Sequence, residues 1–301
     1  MRRFLLVTAL VALLAGCGDD DSGGSPEGTL ALDFQPNAVH AGVYQSGLKI
    51  RVPGQSTDSL KLLAAGRADM SVVDIHDLGL ARQAGSDIVG VGALVQRPLA
   101  AVIVRRDDVT RPRDLEGKRV GVTGLPSDEA VLRAVVEHDG GDYDRVRKIT
   151  IGFSAVPSLI AGKVDAVVAF WNAEGVTLRR RGVATREFRV DDYGAPRYPE
   201  LVLAVKRTTL EDHEALVDDM LGAIAEGTDT ALRDREDTVD KLVRASGADA
   251  PLVRAELTAV APALQPPVEL NQAALEAWAR FDARFGILRH EPDVSQAFFV
   301  R

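Results

Sequence analysis

Two apolar runs decide the fold of this chain: Ala100-Ala-Val-Ile-Val104 and Leu201-Val-Leu-Ala-Val205. Each has the length and the β-branched content of a buried strand. Between them lies a block with its own alternation of strand-like and helix-like segments, residues 106–200. We therefore interpret the runs as hinge strands on which the chain enters and leaves a second lobe. The first lobe is then 30–105 together with 201–301; a single α/β domain with a helical extension is the alternative.

Strand-like and helix-like segments alternate as far as residue 206, which predicts parallel sheets covered by helices. The strand candidates are residues 29–34, 48–52, 70–73, 88–94, 100–104, 119–122, 148–152, 166–170 and 201–205. Helix candidates lie between them at 58–65, 77–84, 128–137 and 157–161. Beyond residue 207 only helix-like segments follow, at 210–226, 236–245, 251–260 and 271–285. The sequence predicts an α/β protein with a helical C-terminal part.

Residues 1–16 have the organisation of a lipoprotein signal peptide. Arg2 and Arg3 precede a short apolar run, residues 4–14, and the chain continues Leu-Ala-Gly to Cys17. The run is too short to span a bilayer, which takes about 20 residues. Cys17 is the only cysteine, so no disulfide forms within the chain. We expect lipid on Cys17 and an extracytoplasmic, membrane-anchored protein; a chance cysteine after an ordinary signal peptide is the alternative.

Residues 17–29 are rich in Gly, Ser and Asp and predict a flexible tether. The remaining body of about 270 residues has room for one large or two mid-sized lobes. The net charge is −8, and removal of Arg2 and Arg3 makes it about −10. A negative body argues against nucleic acid and against docking on an anionic membrane surface.

Residues 32–44 read Leu-Asp-Phe-Gln-Pro-Asn-Ala-Val-His-Ala-Gly-Val-Tyr. This resembles the opening of the NMT1/THI5-like family, where Leu-Asp-Trp-x-Pro-Asn-x-x-His-x-Gly-x-Tyr is usual. Further segments resemble the family in the same order, at 62–70, 94–98, 115–128, 162–174 and 193–201. Together they cover residues 30 to about 205. Each segment alone is a weak signal, and only their combination is specific to the family.

The resemblance implies a two-lobed clamshell of the periplasmic-binding-protein type (type II). It implies a monomeric, lipid-anchored solute-binding component of an ABC importer, with no cofactor and no catalysis. The ligand would be a thiamine pyrimidine precursor, hydroxymethylpyrimidine or formylaminopyrimidine, passed to a membrane permease. Riboflavin or another flat heterocycle is the second ligand class, then a sulfonate or nitrate. A ligand sensor is a further alternative, and a pyrimidine-precursor synthase would need a cysteine-rich segment that this chain lacks.

The first candidate binding residues lie in the first lobe. Asp33 and Phe34 end the first strand candidate, where open α/β sheets place ligands, and Phe34 offers a ring for stacking. Core packing is the alternative for Phe34. Asn37 either contacts ligand or caps the next turn, and His40 is either a ligand contact or a buried structural histidine. Two further candidates are Asp74, at a strand end, and Gln96, which offers an amide.

The second lobe contributes two further segments. Gly124, Leu125, Pro126, Ser127 and Asp128 form a loop before a helix, which either approaches the ligand or serves only as a helix cap. Phe170, Trp171 and Glu174 follow a strand candidate. By the resemblance, an aromatic residue and a Glu four positions later contact the pyrimidine.

These candidate segments contain acids but no Lys or Arg, at 33–44, 123–128 and 170–174. An anion would need donors and positive charge, so the lining favours a neutral or weakly basic heterocycle. No second histidine lies at metal spacing from His40, and no metal site is expected. The first crossover, residues 36–47, is shorter than in the family, which predicts a first helix of one or two turns and a more open cleft edge.

Overall fold

The computed structural model describes residues 27–54, 58–106 and 109–301. The predicted signal peptide, Cys17 and residues 17–26 of the predicted tether lie outside these ranges. Thr29, which the sequence assigns to the end of that tether, already begins the first strand.

The described residues form ten strands and twelve α-helices. The strands are β1 (Thr29–Ala31), β2 (Lys49–Arg51), β3 (Met70–Asp74), β4 (Ile88–Val95), β5 (Ala100–Arg105), β6 (Arg119–Val122), β7 (Arg147–Thr150), β8 (Ala166–Phe170), β9 (Thr185–Arg189) and β10 (Leu201–Lys206). The helices are α1 (Ala41–Gln45), α2 (Asp58–Ala64), α3 (Ile75–Gln83), α4 (Pro126–His138), α5 (Ala155–Ile160), α6 (Glu174–Arg180), α7 (Arg207–Asp212), α8 (Glu214–Arg233), α9 (Arg235–Ser246), α10 (Ala250–Val260), α11 (Gln272–Arg284) and α12 (Val294–Ala297).

The strands make two five-stranded sheets, one in each lobe. The first has the order β2-β1-β3-β10-β4 and the second β7-β6-β8-β5-β9. The chain passes from the first sheet to the second between β4 and β5, and returns between β9 and β10. This is a two-lobed α/β clamshell, with helices α7 to α12 following the return strand as predicted.

Three details differ from the sequence-based expectation. Strand β5 pairs with β8 and β9, so residues 100–105 belong to the second sheet and the first crossing lies before them. Strands β5 and β10 run antiparallel to both neighbours, because each enters its sheet from the other lobe. Strand β9 was not predicted, since its sequence Thr-Arg-Glu-Phe-Arg is mostly charged.

The short first crossover forms a single 3₁₀ turn followed by α1, as expected. Gly42 in α1 packs against α8, and a Cβ on Gly42 would overlap the backbone and side chain of Thr228. Only a glycine therefore permits this approach. The close contact fixes the start of the first lobe against the longest C-terminal helix.

A buried ion pair joins the C-terminal helices to the first sheet. His76 on α3 and Asp282 on α11 are 3% and 0% exposed, and Nδ1 of His76 lies 2.8 Å from a carboxylate oxygen of Asp282. Burial by itself would lower the pKa of His76. The negative charge of Asp282, with a smaller contribution from Asp74, outweighs this effect and raises the pKa to about 10. His76 is therefore charged at neutral pH, and the pair holds α11 on α3.

We predict that Asp282→Asn lowers the free energy of unfolding by about 3 kcal/mol at pH 6, because it leaves a buried imidazolium without its counter-charge. The His76 pKa is raised from 6.5 to about 10, so the stabilisation is complete below pH 6.5 and is lost as pH rises through about 10. Urea denaturation of both proteins between pH 6 and pH 10 measures this. The exposed substitution Asp240→Asn is the control, and a difference that grows toward pH 10 would contradict the assignment.

Candidate functional site

Two adjoining chambers lie between the sheets. We call the larger one, with a volume of about 310 Å³, the outer chamber and the smaller one, of about 130 Å³, the inner chamber; the names distinguish them by size alone. Both are lined by Asp74, Leu125, Phe153, Phe170 and Glu174, which therefore mark where they meet. The chambers lie at the carboxyl ends of β1, β3, β6 and β8, the edge at which open α/β sheets bind ligands.

Aromatic side chains form the walls of the outer chamber. Phe34 follows β1, Phe153 follows β7 and Phe170 ends β8; they are 41%, 71% and 37% exposed. The rings of Phe34 and Phe153 approach across the cleft with centroids 5.9 Å apart and an angle of 29° between their planes. Exposed apolar side chains gathered in a concave site mark a surface that another molecule covers. Here that surface offers ring faces from both lobes.

Acidic side chains form the polar part of both chambers. Asp74 and Glu174 line both chambers. Asp33 and Asp77 line only the outer chamber, and Asp128 and Glu200 line only the inner chamber. No Lys or Arg stands among the described residues that line either chamber. The site therefore presents hydrogen-bond acceptors and negative charge.

Strand β3 and helix α3 position one group of acids. Asp74 is the N-cap of α3, and its Oδ1 accepts a hydrogen bond from the backbone N–H of His76 at 2.8 Å. Burial raises the pKa of Asp74. Burial also raises the pKa of Asp77 to about 7, with the neighbouring Asp74 carboxyl adding to the rise.

The second lobe holds its acids at the starts of two helices. Asp128 on α4 accepts hydrogen bonds from the backbone N–H and the hydroxyl of Thr123, at 2.5 and 2.7 Å. Glu174 opens α6, and its Oε2 accepts from the backbone N–H of Phe170 at 3.1 Å. Burial raises the pKa of both carboxyls. Each side chain is thus fixed by the loop that follows its strand.

Glu200 lies where the return crossing meets the inner chamber. The residue is 2% exposed, and its Oε2 accepts a hydrogen bond from the backbone N–H of Leu99 at 2.8 Å. Burial raises the pKa of Glu200 to about 8, with the Asp74 carboxyl adding to the rise. This acid is therefore largely protonated at neutral pH in the ligand-free protein.

Nine of the fourteen residues predicted to bind ligand line the chambers: Asp33, Phe34, Asn37, Asp74, Leu125, Ser127, Asp128, Phe170 and Glu174. Gly124 and Pro126 do not line them but shape the loop between β6 and α4. Gly124 has φ +100°, which a residue with a side chain rarely adopts.

Three predicted contacts are corrected by the structure. His40 is 0% exposed and does not reach the chambers. Its Nδ1 accepts a hydrogen bond from the backbone N–H of Asn37, and its Nε2 donates one to the Asp33 carboxylate at 2.7 Å. His40 therefore orients Asp33. Trp171 is 2% exposed and packs in the core, its Nε1 donating to the carbonyl oxygen of Pro98. Gln96 donates instead to the carbonyl oxygens of Pro266 and Glu269.

Sequence reasoning missed several lining residues, among them His76, Asp77, Phe153, Asn172 and Glu200. A sequence signal existed for some of them. His76 and Asp77 follow the same strand end as Asp74, and Phe153 follows a predicted strand just as Phe34 does. Glu200 gave no signal, because its place in the chamber depends on how β10 enters the first sheet.

A clamshell of two α/β lobes with an enclosed, aromatic and acidic cleft defines the class of two-lobed solute-binding proteins. Comparison with known sequences gives the family: the NMT1/THI5-like family model matches residues 44–238. The chain belongs to the NMT1/THI5-like family.

Two curated relatives illustrate the match. A formylaminopyrimidine-binding protein from Halalkalibacterium halodurans is 33% identical over 232 residues, which are 70% of each chain. A Haemophilus influenzae protein whose name links it to thiamine biosynthesis is 28% identical over 200 residues, covering 61% of this chain and 63% of that one. More distant relatives at 22–26% identity are named 4-amino-5-hydroxymethyl-2-methylpyrimidine phosphate synthases.

Among solved structures, the periplasmic aliphatic sulphonate-binding protein SsuA from Escherichia coli is similar in fold. Its TM-score is 0.73 at 16% identity, covering 90% of this chain and 92% of that one. These comparisons place the chain with solute-binding proteins rather than with enzymes.

Two features are absent from the described ranges. No three His, Cys, Asp or Glu side chains there are grouped as metal ligands would be. None of the helices there combines the length and the apolar character needed to cross a bilayer.

We predict that Glu200→Gln makes stability less dependent on pH. The pKa of Glu200 is raised from 4.5 to about 8, so the folded state keeps a proton that the unfolded chain releases, and stability falls as pH rises through this range. Glutamine keeps an acceptor for Leu99 but does not titrate. Melting temperatures between pH 5 and pH 8 should therefore fall less for the variant than for the parent. The exposed Glu276→Gln is the control, and parallel curves for Glu200→Gln and the parent would refute the assignment.

Proposed function

We propose that this protein is the lipid-anchored solute-binding component of an ABC importer, and that it binds a thiamine pyrimidine precursor between its lobes. The ligand would be hydroxymethylpyrimidine or formylaminopyrimidine. The observation that carries the proposal is the cleft itself, which combines ring faces from both lobes with carboxyl groups and has no Lys or Arg among its described lining residues.

The aromatic walls support a flat ligand. Phe34 and Phe170 come from different lobes, and Phe153 faces Phe34 across the outer chamber. Stacked aromatic pairs gain about 0.5–1.5 kcal/mol beyond the burial of their area. A planar ligand ring that lies between Phe34 and Phe153 would stack on one of them with each face. It would replace one stacking contact with two.

Glu174 supports an aminopyrimidine in particular. Its Oε2 accepts from the backbone N–H of Phe170, and the residue lines both chambers. A carboxylate can accept from the exocyclic amine of a 4-aminopyrimidine and from a protonated ring nitrogen together. Such paired, charge-assisted hydrogen bonds are about twice as strong as neutral ones. The formylaminopyrimidine-binding relative, at 33% identity, agrees with this choice.

The lining disfavours the anionic alternatives. A sulfonate or nitrate would be held by positive charge, and neither Lys nor Arg stands among the described residues that line these chambers. The likeness to SsuA therefore concerns the fold. Riboflavin or another larger heterocycle is the second candidate, because the outer chamber is the larger one and the short first crossover lines it through Asn37 and Val39.

A synthase activity fits the site less well. The synthases of the family are distant relatives, at 22–26% identity, and the single cysteine of this chain is Cys17, near its beginning. The acids and aromatic rings that line the chambers suit binding, and import requires no reaction.

Import would use the two crossings as hinges. Closure of two lobes around a ligand by rotation at a few connecting residues is a common device. Here the crossings between β4 and β5 and between β9 and β10 lie beside the chambers, so ligand contacts with both lobes would favour the closed form that a permease recognises. The protein would work outside the cytoplasm, held by lipid on Cys17.

We predict that 4-amino-5-hydroxymethyl-2-methylpyrimidine or its formylamino analogue raises the melting temperature of the purified protein, because a ligand that binds only the folded state stabilises it. Glu174→Gln should weaken the affinity at least about tenfold, since it removes a charge-assisted pair. Glu276→Gln, on the exposed face of α11, is the matched control. Riboflavin, taurine and nitrate complete the screen; a shift with one of these and none with a pyrimidine would refute the ligand assignment.

We predict that Cys17→Ser moves the protein from the membrane fraction to the soluble extracytoplasmic fraction, because the thioether-linked lipid can no longer form. Ligand binding by the released protein should persist, since the cleft is built from residues 33 to 201. Fractionation with immunodetection measures the distribution. Equal membrane association of the variant and the parent would exclude lipid anchoring at this residue.

A further inference from the structure

One amide in the wall of the outer chamber lacks a hydrogen-bond partner. Asn172 lies in the turn between β8 and α6, is 2% exposed and lines the outer chamber. Its Oδ1 is buried and accepts no hydrogen bond from any described residue. Buried side-chain oxygens normally have a donor. Among the described residues that line either chamber, Asn172 alone has a buried side-chain atom without a partner.

The turn that contains Asn172 is held in place on both sides. Before it, the backbone N–H and the Nε1 of Trp171 donate to the carbonyl oxygens of Leu99 and Pro98, each at 3.0 Å. After it, the first side chain of α6 accepts from the last backbone N–H of β8 at 3.1 Å. The backbone therefore cannot easily carry the amide to another donor, and the missing partner does not come from a loose loop.

The other two amide side chains that line the outer chamber have partners within the protein. Nε2 of Gln35 donates to the carbonyl oxygen of Pro53 at 3.3 Å. Nδ2 of Asn37 donates to the carbonyl oxygen of Gln35 at 3.1 Å, and its Oδ1 accepts from the backbone N–H of Val39 at 2.9 Å. These two amides shape the first crossover, whereas the oxygen of Asn172 has no such role.

We propose that Asn172 is a specificity-determining contact, whose amide oxygen accepts a hydrogen bond from a neutral donor on the substituent at ring carbon 5 of the ligand. That donor is the O–H of a hydroxymethyl group or the N–H of a formylamino group. This inference rests on the proposed function for the ring and for the pair of hydrogen bonds to Glu174.

The position of Asn172 relative to Glu174 supports this assignment. The two residues lie in one short segment, but Glu174 lines both chambers and Asn172 only the outer one. Glu174 would take the ring edge that carries the 4-amino group and a ring nitrogen, so the next substituent, at carbon 5, is left for a second acceptor. Rotation about the last bond of an asparagine side chain is soft, so Oδ1 can turn toward the ligand.

The missing partner also predicts how the ligand-free protein behaves. A buried acceptor without a donor destabilises the structure that contains it, and an apolar side chain of similar size removes this penalty. Asn172→Leu should therefore melt at least as high as the parent without ligand, yet bind the ligand more weakly. A structural role for the amide would give the opposite change in melting temperature.

The test compares two ligands that differ in one hydroxyl group, 4-amino-5-hydroxymethyl-2-methylpyrimidine and 4-amino-2,5-dimethylpyrimidine. Calorimetry with the parent should show the hydroxymethyl compound binding about tenfold tighter, because a site that accepts from a hydroxyl rejects the analogue without it. In Asn172→Leu this ratio should fall toward one. In Glu174→Gln both compounds should weaken alike and the ratio should stay as in the parent. An unaltered ratio in Asn172→Leu would overturn the proposal.

Two further variants control the test. Gln272→Leu makes the same kind of change at an exposed amide on α11 and should leave the ratio and both affinities as in the parent. Asn172→Asp keeps an oxygen acceptor at the same position, so its ratio should exceed that of Asn172→Leu. Equal ratios in these two variants of Asn172 would reject the role of its oxygen, and Asn172→Asp against the parent gives the answer if Asn172→Leu does not fold.

A different ligand separates this inference from the proposed function. If neither pyrimidine binds the parent, the proposed function fails, and riboflavin, which carries a ring N–H and hydroxyl groups, becomes the probe. Riboflavin binding that weakens about tenfold in Asn172→Leu but not in Gln272→Leu supports the acceptor role of Asn172. Unaltered riboflavin affinity in Asn172→Leu, or no binding to the parent, rejects it.

Discussion

The arrangement of the two lobes depends on the hydrogen bonds of Glu200, which join the return crossing to the outgoing crossing. The backbone N–H of Glu200 donates to the carbonyl of Val95 at the end of β4, and its carbonyl accepts from the N–H of Ile75 at the start of α3. Its side chain accepts from Leu99, just before β5. A residue of the return crossing thus bonds to the outgoing crossing and to the first lobe, which holds the two crossings together.

The same junction places the acids of the site. Strand β10 lies between β3 and β4 with Leu201 opposite Asp74, so Glu200 reaches the end of β3 and the inner chamber. Burial raises the pKa of both carboxyls, and the Asp74 carboxyl adds to the rise at Glu200. A hinge motion that separates the lobes would therefore also change the protonation of the chamber.

The fold was largely predictable, because buried strands leave a local signal. Each of the nine strand candidates overlaps an observed strand, and the helical C-terminal part follows β10 as expected. The exception was β9, which lies at a sheet edge and needs few apolar residues. The strand ends also identified nine residues that line the chambers, since ligands bind where strands end.

The sequence by itself determined the order and type of the elements and the residues at their ends. These features depend on local composition and on the spacing of apolar residues along the chain. Only the tertiary structure decided the directions of β5 and β10, the burial of His40 and Trp171, and the meeting of Phe34 with Phe153. It also decided that Glu200 lies beside Asp74. These outcomes depend on contacts between residues far apart in the chain, for which no local pattern exists.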